Sequence, residues 1–191
     1  KYERLDSRIF VINQDNIGLT KSLNVGVKNS SGQYIARQDA DDRSVLNRLE
    51  KQLDVLKKFQ LDIVTSRAFK GNKISPNDLI FNFNQSNILK AGNIFIHGTF
   101  FMDRRVFDVQ IYNEKYKYAQ DFKFILDAFS NNFRIGSMLE PLYYLNNIET
   151  SISNTKKDEQ DKFVSAALNS FFGSDIYFLN INLIQLYLES L

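Results

Sequence analysis

Strand, helix and strand follow one another within about 30 residues near the start of this chain, and that succession restricts it to an α/β architecture. Arg8-Ile9-Phe10-Val11-Ile12 is a short apolar, β-branched run ending in the turn-rich Asn13-Gln14-Asp15-Asn16, which predicts a buried strand entering a loop. Beyond Gly18, Leu19, Leu23 and Val27 recur at every fourth position and predict a helix ending near Asn29. Ser31-Gly32 then turns the chain into a second strand, Tyr34-Ile35-Ala36-Arg37-Gln38.

That strand runs directly into Asp39-Ala40-Asp41-Asp42. Three carboxylates at the end of a strand stand where α/β sheets bind ligands. Asp39 and Asp41 are suited to a hard divalent ion, Mn²⁺ or Mg²⁺, which takes oxygen ligands and keeps positions for phosphates and water. A solvated turn leading into a helix would contain the same residues. A calcium loop would use Asp39, Asp41 and Glu50 at its first, third and twelfth positions, but Arg43 and Ser44 fall where an acidic or amide ligand and a glycine belong.

Asn47 and Glu50 have capping-box spacing, and Leu49, Leu53 and Leu56 would be the core face of the helix that follows. Ile63 to Ser66 reads as a strand, 71–92 as a long Asn-rich loop with a short helix near 86–90, and Ile94 to Met102 as a strand carrying His97. Phe122, Ile125, Leu126 and Phe129 mark one face of a helix starting near Gln120, with Asp121 in its first turn. Phe133 to Ser137 and Leu142 to Leu145 read as closing strands separated by Pro141. From Thr150 a charged linker leads into apolar helical sequence reaching Leu191.

With 191 residues, 43% hydrophobic and 24% charged, the composition is that of a globular domain. A net charge of +2 with no basic run gives nucleic acid binding no support, and the absence of cysteine leaves metal binding to oxygen. No stretch reaches the roughly 18 apolar residues of a membrane span, and the first residues lack a signal peptide's apolar core, so the expected setting is cytoplasmic. The first residue is not methionine, which points to a missing upstream segment.

The stretches Asn16-Ile17-Gly18-Leu19, Ser22-Leu23-Asn24-Val25-Gly26-Val27, Gly32-Gln33-Tyr34-Ile35-Ala36, Asp39-Ala40-Asp41-Asp42 and Arg48-Leu49-Glu50-Lys51-Gln52 succeed one another within 37 residues. In order and spacing they resemble the family 2 glycosyltransferases of GT-A fold, of the bacterial surface-polysaccharide type. His97-Gly98-Thr99-Phe100-Phe101-Met102 is similar to that family's strand before the acceptor region, and Tyr118-Ala119-Gln120-Asp121-Phe122 to the helix start that supplies its base. The resemblance implies a mixed sheet flanked by helices, with residues 1–150 as the core and 151–191 as a C-terminal helical extension. It implies inverting transfer from a nucleotide-sugar, of UDP type, to a hydroxyl of a glycan or lipid-linked glycan in surface polysaccharide synthesis.

The same resemblance implies Asp121 as catalytic base and Asp39 and Asp41 as the metal motif. Asn16, Gly18, Lys21, Asp39, Ala40 and Asp41 would then bind the nucleotide-sugar, and Asp42, His97 and Gln120 would stand on the acceptor side. Read from the residues alone, a first-turn carboxylate such as Asp121 is held ionised by the helix amides and can accept a proton, and it equally complements the macrodipole. His97 alone reads as a hydrogen-bonding group of the site or as a core histidine satisfied by backbone. Lys21 can approach a phosphate or lie on the surface.

The family's first strand and helix, which bind the nucleotide base and ribose, have no counterpart here, so the chain reads as a core lacking roughly 40 to 50 residues at its N-terminus. Three functions therefore stand side by side. They are a glycosyltransferase, a non-catalytic remnant acting as a binding or assembly module, and a nucleotidyltransferase using the same acidic motif. The C-terminal apolar run would pack on its own domain, on a second copy or on the inner face of a membrane.

Overall fold

The computed structural model describes residues 2–76, 93–146 and 156–172, and the backbone of 184–187. The expected helix near 86–90 lies outside these residues.

The centre of the molecule is a mixed sheet whose strands run β1-β5-β3-β6-β2, with β4 added to β3 and β7 to β6. Its strands are β1 (Tyr34–Ala36), β2 (Arg43–Ser44), β3 (Ile63–Lys70), β4 (Lys73–Ser75), β5 (Phe101–Asp103), β6 (Ile135–Leu145) and β7 (Ile184–Tyr187). The β3/β6 and β6/β7 pairs are parallel, and β1/β5, β3/β5, β2/β6 and β3/β4 are antiparallel. Five α-helices accompany them among the described residues: α1 (Leu19–Asn29), α2 (Arg48–Lys58), α3 (Val106–Val109), α4 (Gln120–Ser130) and α5 (Lys157–Phe172).

Alternation along β3 divides the core in two, because successive side chains point to opposite faces. Ile63 joins Phe100, Met102, Phe122, Ile125, Leu126 and Ile135, whereas Val64 joins Val55, Leu56, Phe101 and Leu142. Each such fully buried side chain contributes about 1.5–3 kcal/mol. The helix beginning at Lys157 covers residues expected to be a charged linker, and its Ala167 and Phe171 enter the larger cluster. Where helix was expected to continue to Leu191, Ile184–Tyr187 is a strand in register with Ile135 to Met138.

Several local expectations are corrected. Residues 8–12 form no strand, and Ile9, Phe10, Val11 and Ile12 are exposed. An apolar run becomes a strand only where another strand supplies its hydrogen bonds, and the described residues present none to it. The two closing strands are one, β6, and Pro141 sits opposite Arg67 where the β3/β6 register shifts. At that irregularity its missing N–H costs no regular ladder bond.

The strand expected from Ile94 to Met102 is instead a short 3-10 helix, His97–Thr99, leading into β5. Gly98 there lies so close to Tyr143 that a Cβ would stand 2.6 Å from the phenol Cζ. On α2 the buried positions are Arg48, Gln52, Val55 and Leu56, while Leu49 is 52% exposed. Asn47 precedes that helix without a side-chain capping bond, since its φ of −98° and ψ of 16° leave the extended region a capping side chain needs.

Candidate active site

The acidic tetrad forms the bend between β1 and β2, and β2 is stitched to Tyr143 and Tyr144 of β6. Tyr143 anchors the bend. Its hydroxyl accepts the Asp39 N–H at 2.9 Å and a Gln38 Nε2 bond at 3.2 Å. Asp42 Oδ1 accepts the Asn146 N–H at 2.7 Å. Burial pushes the Asp42 carboxyl up, partly offset by this bond.

Arg48 holds the bend from below. Its guanidinium donates to Gln52 Oε1 at 2.9 Å, Ser44 Oγ at 2.9 Å and the Arg37 carbonyl at 2.8 Å, and lies over the Tyr143 ring. Burial lowers its pKa to about 10, which still leaves it charged at neutral pH. Only neutral oxygens accept these bonds, so its role is to fix backbone and loop rather than to form an ion pair.

Arg37, at the exit of β1, is the electrostatic hub. Its Nη1 lies 2.6 Å from Asp39 Oδ2. The same guanidinium acts on Asp121 and His97, favouring the charged form of the first and the neutral form of the second. Asp39 is thus the carboxylate in contact with Arg37, while Asp121, 82 residues further along the chain, and His97 lie near enough to feel its charge.

Asp121 begins α4 just after Ala119, which takes the left-handed φ of 53° and so turns the chain sharply into the helix. Its Oδ2 accepts a 2.6 Å bond from Asn93 Nδ2. The carboxyl keeps some surface open, yet it is enclosed enough that burial raises its pKa, with the Phe122 and Asp121 amides, Arg37 and Asn93 pulling the other way. The first-turn amides thus do not dominate, contrary to the expectation from helix position alone. A carboxylate raised in this way is a better proton acceptor than an exposed one.

His97 is half-buried and bonds the Tyr112 hydroxyl through Nε2 at 2.9 Å rather than any backbone group. Burial, then Arg37, holds the imidazole well below its usual range, and burial raises the Tyr112 phenol. A neutral histidine and a neutral phenol therefore stand together. Gln120 is buried at the start of α4.

The donor-side residues are dispersed. Asn16 and Gly18 are exposed on the approach to α1, and Lys21 is exposed in its first turn. Asn16 Oδ1 accepts the Gly18 N–H at 3.1 Å, and Gly18 has a φ of 86° that suits glycine. Ala40 lies exposed on the bend. Arg37 and Gln38 line a cavity of about 460 Å³ under α1, walled by Leu19, Leu23, Val27, Ile35 and Met102. Asp41 lines a different cavity of about 430 Å³ with Arg43, Tyr144 and Asn146.

Among the described residues no group of three metal-ligating side chains comes together. The oxygen-only pair Asp39 and Asp41 fits an ion of the Mg²⁺ kind, for which a protein supplies one or two carboxylates and the substrate phosphates the rest. The calcium-loop alternative fails, because Arg43 and Ser44 are a paired strand. Arg37, Tyr112 and Tyr143 were not recognisable as site residues from the sequence; Arg48 carried a signal in its family-like stretch to Gln52 and in the Ser44-Arg48-Gln52 spacing of four, one helix-face ladder.

The model of the glycosyl transferase family 2 domain matches residues 1–111. An uncharacterized glycosyltransferase of Haemophilus influenzae is 29% identical over 96% of this chain and 64% of its own length. A putative glycosyltransferase of Bacillus subtilis, EpsE, is 30% identical over 69% of this chain and 49% of its own. The chain thus spans about half to two thirds of the length of these curated relatives. Among solved structures, S. aureus TarS 1–349 superposes with a TM-score of 0.57 at 17% identity, covering 86% of this chain and 54% of that one, and shares its fold. No described helix is long and apolar enough to cross a membrane. By its match over residues 1–111 and its α/β sheet of GT-A type, the chain belongs to glycosyl transferase family 2.

Proposed function

We propose that the full-length protein transfers a sugar from a nucleotide-activated donor of UDP type to a hydroxyl of a growing surface glycan, inverting the anomeric centre. The observation that best supports this reading is that Asp39 pairs with Arg37 and Asp121 feels the same guanidinium, as expected if a proton acceptor and a carboxylate motif serve one site. Further support comes from similar proteins. TarS has been solved with UDP and with UDP-GlcNAc, and a B. subtilis relative 30% identical over 41% of this chain carries the name of a putative teichuronic acid biosynthesis glycosyltransferase.

In this reading Asp121 takes the proton of the acceptor hydroxyl as its oxygen bonds to the anomeric carbon, and the bond to the diphosphate breaks. Asp39 and Asp41 would hold Mn²⁺ or Mg²⁺, which neutralises charge on the departing diphosphate. Asn16, Gly18, Lys21 and Ala40 border the donor, and His97 and Gln120 the acceptor. Asp42 would stand on the acceptor side, with its carboxylate accepting the Asn146 N–H and so tying the bend to the end of β6. The cytoplasmic face of a membrane is the proposed place of action, with residues 151–191 as the contact to it or to a second copy.

Asp121→Asn and Asp41→Ala in the full-length enzyme test the reading. Loss of the base is expected to lower kcat about 10²- to 10⁴-fold. Because Asp121 must be ionised, the rate should fall as pH drops through a value higher than that of an exposed aspartate. Transfer and donor hydrolysis unchanged in both variants would overturn it. A folded wild-type protein that binds no UDP with Mn²⁺ and forms a stable oligomer would instead mark a binding module.

A further inference from the structure

Arg37 presents an unusual balance. Its side chain is 9% exposed, whereas that of its partner Asp39 is 36% exposed, so the cation is the buried member of the pair. Although Nη1 lies 2.6 Å from Asp39 Oδ2, neither Nη1 nor Nε directs an N–H at a hydrogen-bond acceptor. A second buried guanidinium, Arg48, stands close enough to feel its charge, and the Arg48 bonds go to neutral oxygens. Asp39 is therefore the carboxylate in direct contact with Arg37, with Asp121 acting on it only at longer range.

A buried ion pair that loses one partner leaves an uncompensated charge out of water. A divalent cation arriving alone at Asp39 would do that to Arg37, and would add its own positive charge beside it. An anion arriving with the cation would relieve both, because the guanidinium has N–H groups to give. By linkage, each then strengthens the other.

Resting on the reading of Asp39 and Asp41 as the cation motif for a donor diphosphate, we infer that Arg37 is the internal counter-ion of Asp39. It keeps a bare cation out, yields Asp39 when cation and nucleoside diphosphate enter together, and then takes an oxygen of the diphosphate. Arg37 is in this sense a positioning residue that couples two ligands, and the bend between β1 and β2 is held by Tyr143 and Arg48 while the pair exchanges.

Calorimetric titration of the full-length protein with Mn²⁺ and with UDP, singly and together, tests this. In Arg37→Gln, Mn²⁺ alone should bind about tenfold tighter than in the wild type, and the gain in Mn²⁺ affinity brought by UDP should shrink by about the same factor. Lost packing would weaken binding, so the expected sign separates this role from a merely structural one. Arg37→Lys, which keeps the charge but loses the fork, should leave Mn²⁺ alone weak while weakening UDP with Mn²⁺ about fivefold or more. That variant carries the test if Arg37→Gln does not fold. Mn²⁺ affinity unchanged or weaker in a folded Arg37→Gln, or UDP with Mn²⁺ unchanged in Arg37→Lys, overturns the inference and leaves the proposed function standing. A wild type that does not bind UDP with Mn²⁺ overturns both.

Discussion

Helices α1 and α4 are each eleven residues long, yet α1 buries Thr20 alone, while α4 buries every residue from Gln120 to Phe129 except Asp121 and Asp127. The difference lies in what each helix packs on. Residues of α4 meet Ile63 of β3, Ile135 of β6 and Ala167 of α5 in one cluster. Those of α1 face the cavity of about 460 Å³, with Leu19 exposed. The groups proposed for proton transfer thus come from the consolidated half, where packing holds them before any ligand arrives. Asn16, Gly18 and Lys21, proposed for the donor, come from the looser half.

The largest expected effect sharpens this contrast. Phe122→Ala empties a fully buried position on α4 and should cost about 3–5 kcal/mol, read as a shifted denaturant midpoint. A loss below about 1 kcal/mol would show that the α4 face is not the rigid side of the site. Next in size is Gly98→Ala, because a methyl group there would collide with the buried ring of Tyr143. It should cost about 1–3 kcal/mol. Since Tyr143 also anchors Gln38 and Asp39, activity should fall further than stability alone explains.

A smaller, pH-dependent effect belongs to His97. Its pKa lies well below the usual 6.5 in the folded state, so the unfolded chain takes up the proton first. Its contribution to stability is complete above that pH and is lost as pH falls from there toward the folded value. Between about pH 7.5 and 5.5, wild type should therefore lose more stability than His97→Gln, measured by urea denaturation at each pH. Equal losses would mean that the histidine is hydrated and that the two halves are less different than their burial indicates.

Much of this was legible in the sequence, and the limits have physical causes. Helices α1 and α4 were foreseen because apolar spacing is a local property. Residues 8–12 and 94–100 were misread as strand, although Phe101 and Met102 do lie in β5, because β structure depends on a partner strand, which no local pattern records. Pro141 suggested a break, but the register shift opposite Arg67 absorbs it within one strand. Asp39, Asp121 and His97 were found as candidates, whereas Arg37 was not. Its significance arises from burial and from the convergence of segments distant in sequence.

The smallest expected effect tests the loose half directly. Phe10 is 73% exposed and follows an irregular segment fastened by local bonds, among them Val11 N–H to Glu3 Oε1 at 3.2 Å. Substituting serine should therefore change the stability of the 191-residue chain by no more than about 0.5 kcal/mol, as at other exposed positions. The result is informative because the same run, Arg8 to Ile12, has the composition of a buried strand. A loss above about 1 kcal/mol would mean that something covers Phe10 in solution, and would make the looseness of the α1 side a property of the isolated fold rather than of the working protein.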